Sequence, residues 1–425
     1  MIKILSTFVD DYAKPVWHTI QKRIKIQRYK TMYPAILKKV KNKDKINIVF
    51  FVINVGMWKS DALFQLLLKD NRFNPCLISF LYPEDSIEYQ KYVQESLSSF
   101  FAAKGYPYLD CYDFNKNEWL DIHHLEPDII FYAQPYNAGY KQYQIESFWK
   151  TSLFAYIPYC LEMEKLEVFY NLLLQNIAWK LFYPTEFHFK QGKKHSNNKG
   201  RNIEVCGYPM ADYLVANAEI DFSIWPQKQT SIKRVIWAPH HTILSNDVLH
   251  YSNFLELAES MLNVAKEYRG KVQFAFKPHP RLMTNLYSLW GKTKTDAYYQ
   301  AWNNGVNTTF VEGDYVDLFR SSDALIHDCS SFMGEYLFTG KPLMFVAKTN
   351  CDSVLNDFGR MCFAQHYKGN TIEDIKDFID NVVISEVDPM KDKRLNFFKE
   401  QLLPPNNMTV AQNIYNDLVT SLFGK

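Results

Sequence analysis

The chain alternates short, almost wholly apolar runs with helix-patterned segments, and it does so in two successive series. Runs such as residues 45–54 and 272–276 lack the polar alternation of a strand with one wet face. They predict strands buried on both faces, which requires a parallel sheet covered by helices on either side. In the first series the runs at 75–81, 107–112, 128–132, 154–159, 181–183 and 203–206 follow 45–54, and Asn54-Val55-Gly56 turns into a helix over 60–68. A polar, basic stretch at 190–201 reads as an exposed loop. The second series has strands at 235–238, 272–276, 309–311, 324–327 and 343–346, with helices at 254–267 and 296–302. Residues 216–233 between the series read as a linker. The expected fold class is α/β, with two doubly wound domains over 45–216 and 217–400 and a C-terminal helix at 401–425.

A chain of 425 residues with 47% hydrophobic residues can bury two cores. Its net charge of +2 is nearly balanced and argues neither for nucleic acid nor for an acidic partner, and no nucleic-acid partner is expected. The seven cysteines are scattered, with no Cys-x-x-Cys pair and no histidine at zinc spacing, so neither a disulfide scaffold nor a metal site is predicted, and a reducing cytoplasm fits. Aromatics at 16% are expected to fill strand–helix interfaces, with some free to line a sugar or polyol site.

Residues 1–44 differ from the rest. From Lys14 onward they are dense in Lys and Arg, and on a helix Trp17, Ile20 and Ile24 share a face ringed by Lys22, Arg23, Lys25 and Lys30. Two readings stand: an interfacial helix on anionic lipid, or a basic helix packed on its own domain. Pro34 is expected to limit each helix here to a few turns. No stretch reaches the roughly 18 apolar residues of a membrane span.

The chemistry concentrates in the second series. The strand at 272–276 runs into Lys277-Pro278-His279-Pro280-Arg281, where two prolines stiffen the loop that presents His279 between two cations. The strand at 324–327 runs into Asp328-Cys329-Ser330-Ser331, with hydroxyl residues opening a helix that Gly340-Lys341-Pro342 stops. Free N–H groups and partial positive charge at such a helix start suit a phosphate. Ligands also gather at the carboxyl ends of parallel strands. Glu335, one turn on, is placed either to reach a donor ribose or to support the helix start.

Taken together, Gly207-Tyr208-Pro209 with Asp212, the Ala238-Pro239 strand end, Lys277-Pro278-His279-Pro280 and the segment from Asp328 to Pro342 resemble the CDP-glycerol glycerophosphotransferase family, the teichoic-acid primases and polymerases. The resemblance covers residues 200–350 well and the N-terminal half in architecture. It implies a GT-B fold, two Rossmann-type domains facing a central cleft, and transfer of a polyol phosphate, glycerol phosphate first, from a CDP-linked donor to a hydroxyl of a teichoic-acid-like or capsular polysaccharide or lipid-linked acceptor. CMP leaves, no cofactor is needed, and the enzyme is expected on the cytoplasmic face of the membrane. His279 corresponds to the family's essential His-Pro histidine, and Ser330 and Ser331 to its hydroxyl pair at the pyrophosphate.

Two departures concern the acceptor. Ile157-Pro158-Tyr159-Cys160 stands where many members have Trp-His-Gly, and Pro239-His240-His241-Thr242 where they have Pro-Thr-Trp-Arg. The expected roles are catalysis by His279, His240 and His241, and donor binding by Lys277, Arg281, Asp328, Ser330, Ser331, Glu335 and Thr242. Asp212, Glu162 and Glu164 are candidates on the acceptor side. A GT-B glycosyltransferase using a CMP-sugar, sialic acid or Kdo, in capsule or lipopolysaccharide synthesis is the alternative. UDP-sugar epimerases share the architecture, but no matching carboxylate set stands out.

Overall fold

A computed structural model describes residues 17–229, 231–244, 251–346 and 351–424. The chain divides into two units. The first holds Met1–Cys160, Leu166–Asp212 and Pro404–Lys425, and the second holds Leu161–Lys165 and Tyr213–Leu403.

The first unit is built on a seven-stranded parallel sheet. Its strands are β1 (Ile46–Val52), β2 (Phe73–Ser79), β3 (Tyr108–Leu109), β4 (Ile129–Tyr132), β5 (Leu153–Tyr156), β6 (Lys180–Tyr183) and β7 (Ile203–Val205), in the order β3-β2-β1-β4-β5-β6-β7. Every residue of β4 and β5 is buried, as the unbroken apolar runs require. Aromatic rings fill the layers between sheet and helices. Phe50 stacks on its cross-strand neighbour Phe131 at 4.4 Å, and Trp58 meets Phe50, Phe64 and Phe101 edge-on. A short antiparallel ribbon, Tyr112–Asp113 with Glu118–Trp119, lies outside the sheet.

The second unit repeats the plan with six parallel strands: β8 (Lys233–Ala238), β9 (Val272–Phe276), β10 (Thr308–Phe310), β11 (Ala324–His327), β12 (Leu343–Val346) and β13 (Tyr367–Gly369). Their order is β10-β9-β8-β11-β12-β13. The helix Phe254–Glu267 turns Phe254, Leu257, Ala258, Met261, Val264 and Ala265 inward, an i, i+3, i+4 stripe that packs on this sheet with Trp237, Phe276 and Trp302. In both sheets the order reverses beside the first strand of the series, between β1 and β4 and between β8 and β11. These switch points open a crevice at the carboxyl ends of the strands.

Three local expectations are corrected. Residues Trp17–Lys41 form one continuous helix that runs through Pro34. The ring removes one backbone hydrogen bond, and burial of Ile26, Tyr29, Ile36 and Val40 on the two sides of it holds the helix together. This helix packs on its own unit: Lys22 Nζ donates to the Asn171 carbonyl at 2.7 Å, Lys25 pairs with Glu146 at 2.6 Å, and Arg28 lies over the Trp149 ring. Ile20 and Ile24 remain 44% and 60% exposed. The first sixteen residues of the predicted arm, and the Trp17 side chain, lie outside the described residues. The stretch expected as a loop from Lys190 is helical as far as His195, within Glu186–His195. Finally, the C-terminal helix Val410–Phe423 belongs to the first unit, where Tyr415 donates to Asp70 at 2.7 Å. No described helix is long and apolar enough to cross a membrane.

Candidate functional site

Three loops of the second unit leave the carboxyl ends of adjacent strands. Residues Pro239 to Thr242 follow β8, Lys277 to Arg281 follow β9, and Asp328 to Ser331 follow β11. Since β9 and β11 flank β8, the sheet order brings these loops together around the switch point. Backbone bonds then fix their spacing: the His279 N–H donates to the Pro239 carbonyl at 3.0 Å and the Lys277 N–H to Trp237 at 2.8 Å. Asp328, 4% exposed, accepts the N–H of His240 on one carboxylate oxygen and that of Asn253, at 2.9 Å, on the other. The carboxylate therefore clamps one loop to the next. Thr242 acts similarly. Its hydroxyl lies 3.0 Å from His240 Nδ1 and accepts the Tyr251 N–H at 3.2 Å.

The loops gather three imidazoles. Ring centroids of His240 and His241 lie 4.2 Å apart, His241 and His279 4.1 Å, and His240 and His279 5.1 Å. Burial holds all three below the ordinary histidine range. His240 and His279 lie well below it, and His241 is lowered to about 4 by desolvation and by the Arg281 charge. Mutual repulsion and the charges of Arg281 and Lys277 push His279 the same way. At neutral pH the cluster is uncharged, between two cations.

Such a cluster suits either a metal ion or an anion, since one nitrogen from each ring can come within 4.8 Å of the others. Two observations favour the anion. The N–H of Arg281 donates to His279 Nδ1 at 3.1 Å. A neutral His279 must then carry its proton on Nε2, which makes that nitrogen a donor and removes the lone pair a metal needs. The charges of Lys277 and Arg281 also act on His279. Such charges repel a cation and attract an anion. His241 Nδ1 is buried without a hydrogen-bond partner, a second imidazole nitrogen free for a ligand.

Tyr251 extends the site. Its ring meets His240 edge-on at 5.8 Å and its hydroxyl donates to Glu164 Oε1 at 3.2 Å. The Ser330 hydroxyl bonds the same carboxylate. Glu164 and Glu162 lie on Leu161–Lys165, so these two acceptor-side candidates sit in the second unit, with the donor-side residues. Both are half-buried. Desolvation raises both, and with Glu164's charge beside it Glu162 is pushed up to about 8. Ser330 and Ser331 open the helix Ser330–Glu335, half-buried, and Gly340 in the left-handed region ends the 3-10 turn that follows. Glu335 is buried and accepts the Tyr315 hydroxyl, which fits support of its helix rather than contact with a ribose. Arg281 is exposed at the mouth of the site, while Lys277 is buried, with Nζ donating to the Gly313 carbonyl at 3.0 Å.

Asp212 stands apart from this group. In the first unit it accepts the N–H groups of Val410 and Ala411 at 2.7 and 2.8 Å, so its carboxylate caps the C-terminal helix. The first unit's own switch point holds a different site. A small cleft lies there, lined by the ends of β1 and β4, by Met57, Trp58, Lys59 and Ser60, and by Ile157, Pro158 and Tyr159.

Two residue sets escaped sequence reasoning. Tyr251 follows no recognisable motif. The cleft residues Met57 to Ser60 had one signal, their place directly after the first strand of the series.

Comparison with known proteins adds to this geometry. No curated protein matches the sequence. Among solved structures, a histidine-to-asparagine variant of the wall teichoic acid polymerase TagF is 14% identical, covering 95% of this chain and 98% of its own, with a TM-score of 0.58. The same variant soaked with CDPG gives 0.59 at 12% identity and the same coverage. UDP-GlcNAc 2-epimerase from Neisseria meningitidis, bound to UDP-GlcNAc, gives 0.57 at 15% identity, covering 88% of this chain and all of its own. These likenesses establish the GT-B fold and no more. The family model for CDP-Glycerol:Poly(glycerophosphate) glycerophosphotransferase matches residues 180–420, which include the three histidines and the strands and loops that carry them. By that match the chain belongs to the CDP-glycerol glycerophosphotransferase family.

Proposed function

We propose that the protein transfers glycerol phosphate from CDP-glycerol to a hydroxyl of a teichoic-acid-like or capsular acceptor and releases CMP. The observation that carries this reading is the convergence of three neutral histidines with Lys277 and Arg281 at the second unit's switch point. The acceptor oxygen attacks the β-phosphorus in line, and the bond to the CMP phosphate breaks. Negative charge then grows on the departing phosphate. His279 meets it with the Nε2–H that the Arg281 backbone holds in place, and Lys277 and Arg281 supply positive charge. Donors fixed beforehand cost no reorganisation during the reaction, and one of them is worth about 2.7–4 kcal/mol.

The acceptor chain is assigned to the first unit's cleft, where aromatic faces suit polyol or sugar carbons and Lys59 suits their phosphates. Attachment to the inner face of the membrane rests on exposed Ile20 and Ile24 among basic residues. The CMP-sugar alternative shares the preference for a cytidylate leaving group.

One assay separates these readings. The purified protein is given CDP-glycerol, CDP-ribitol, CMP-sialic acid and UDP-N-acetylglucosamine in turn, with and without a glycerol phosphate oligomer, and products are followed by chromatography. CMP is expected from CDP-glycerol, faster with the oligomer. CMP from CMP-sialic acid with none from CDP-glycerol, or epimerisation of the UDP-sugar, overturns the proposal.

A further inference from the structure

Leu161–Lys165 is a strap: the chain before it and after it belongs to the first unit, and these five residues pack into the second. Glu164 bridges antiparallel to Leu355. The Lys165 N–H donates to the Val354 carbonyl at 2.9 Å, and the Asn356 N–H to that of Met163 at 2.8 Å. The Asn356 side chain holds the carbonyls of Glu162 and Glu164 at 2.8 and 3.1 Å. The helices beside the strap are notched for it. A Cβ on Gly359 would lie 2.3 Å from the Met163 carbonyl oxygen, which is backbone and cannot step aside. A Cβ on Gly334 would lie 2.2 Å from the Met163 side chain. The fold thus makes room to hold two carboxylates beside Ser330 and Tyr251.

We propose that Glu164 is the general base of the transfer, taking the proton of the attacking acceptor hydroxyl. This rests on the donor reading given above. As the acceptor oxygen bonds to the β-phosphorus, its proton passes to the Glu164 carboxylate, the phosphorus–oxygen bond to CMP breaks, and that electron pair leaves on the CMP phosphate.

Electrostatics selects Glu164 over the histidines. His279 already carries a proton on Nε2, and protonating His240 or His241 adds a positive charge to a site holding Lys277 and Arg281. Protonating Glu164 instead neutralises a half-buried negative charge and adds no positive one. Its carboxylate accepts the hydroxyls of Tyr251 and Ser330 and the backbone N–H groups of Met163 and Glu164, and because it is half-buried rather than enclosed, a substrate hydroxyl takes the place of one of the two hydroxyls. Burial raises its carboxyl most, hydrogen bonds from Ser330, Tyr251 and the backbone N–H groups of Glu164 and Met163 lower it, and the net effect is a raised carboxyl, as a base working near neutrality requires; Glu162 is its carboxyl neighbour.

The test uses the full chain, with Glu164→Gln and Glu164→Asp assayed for CMP release in the presence of the oligomer and for CDP-glycerol binding by calorimetry. For Glu164→Gln we expect kcat to fall about 10²–10³-fold, the CDP-glycerol Kd to stay within about twofold, and the acid limb of the kcat–pH profile to vanish. Glu164→Asp, which keeps the carboxylate, is expected to recover part of kcat and the acid limb, and it decides the matter if the glutamine variant does not fold. Wild-type kcat in Glu164→Gln, or a loss of donor binding that accounts for the whole loss of rate, overturns the assignment. A wild-type protein that binds and cleaves no CDP-glycerol overturns the donor reading, and the base falls with it.

Discussion

The two units place a crevice at the same point of the same topology and fill it with opposite chemistry. At the first unit's switch point, Phe50, Phe131, Trp58 and Tyr159 line the cleft with Lys59. At the second, three imidazoles, Ser330 and a carboxylate meet between cations. The sheets are alike, all parallel and buried on both faces, so the difference lies wholly in the residues just past the strand ends. Strand interiors are constrained by packing. The first few residues of a loop are constrained only by what they hold, and there one fold carries two crevices of different chemistry, for which we propose a chain of polyols and a pyrophosphate.

The contrast breaks most sharply at His279. Replacing it by alanine removes the preorganised Nε2–H and, by analogy with an oxyanion-hole donor, should lower kcat for CMP release by about 10²–10³-fold. Circular dichroism should be unchanged, since the His279 N–H to Pro239 bond is retained. If kcat moves less than tenfold, the pyrophosphate is not where the second crevice places it.

A smaller effect is expected in the first crevice. Tyr159→Ala removes one aromatic face, worth about 0.5–1.5 kcal/mol, and should raise the acceptor KM about three- to tenfold. CDP-glycerol affinity and acceptor-independent hydrolysis should stay at wild-type values. An altered donor Kd with an unaltered acceptor KM would invert the assignment of the two crevices.

How much of this was legible in the sequence follows from the same distinction. The strands stood out because burial on both faces leaves continuous apolar runs, and the helix Phe254–Glu267 because its stripe is regular. His279 and Ser330 were visible because proline and hydroxyl residues punctuate strand ends. The strap was not legible. Leu-Glu-Met-Glu-Lys has no period of its own, and its place depends on Leu355, Asn356 and Gly359, nearly two hundred residues on. The place of Asp212 was hidden for the same reason: its partners, Val410 and Ala411, are as distant in sequence. The helix Glu186–His195 was hidden by composition, because it buries little beyond His188 and Gly192 and so shows no apolar stripe.

A prediction that leaves catalysis aside tests what the second crevice costs the fold. Glu162 is pushed up to about 8 by desolvation and by Glu164, against an ordinary value of 4.5. Between those two values the folded protein binds a proton that the unfolded chain has released, so the group's contribution to stability falls as pH rises through this window. Below 4.5 both states are protonated and the contribution is constant. Glu162→Gln abolishes that penalty while keeping the side chain's shape. Its melting temperature should match wild type near pH 4 and exceed it by a margin that widens up to about pH 8, where it levels off. A margin independent of pH would mean that the carboxyl is already ionised at low pH and that the strap holds two full charges. Glu164 would then be surrounded by a stronger field than its role as a base near neutrality requires.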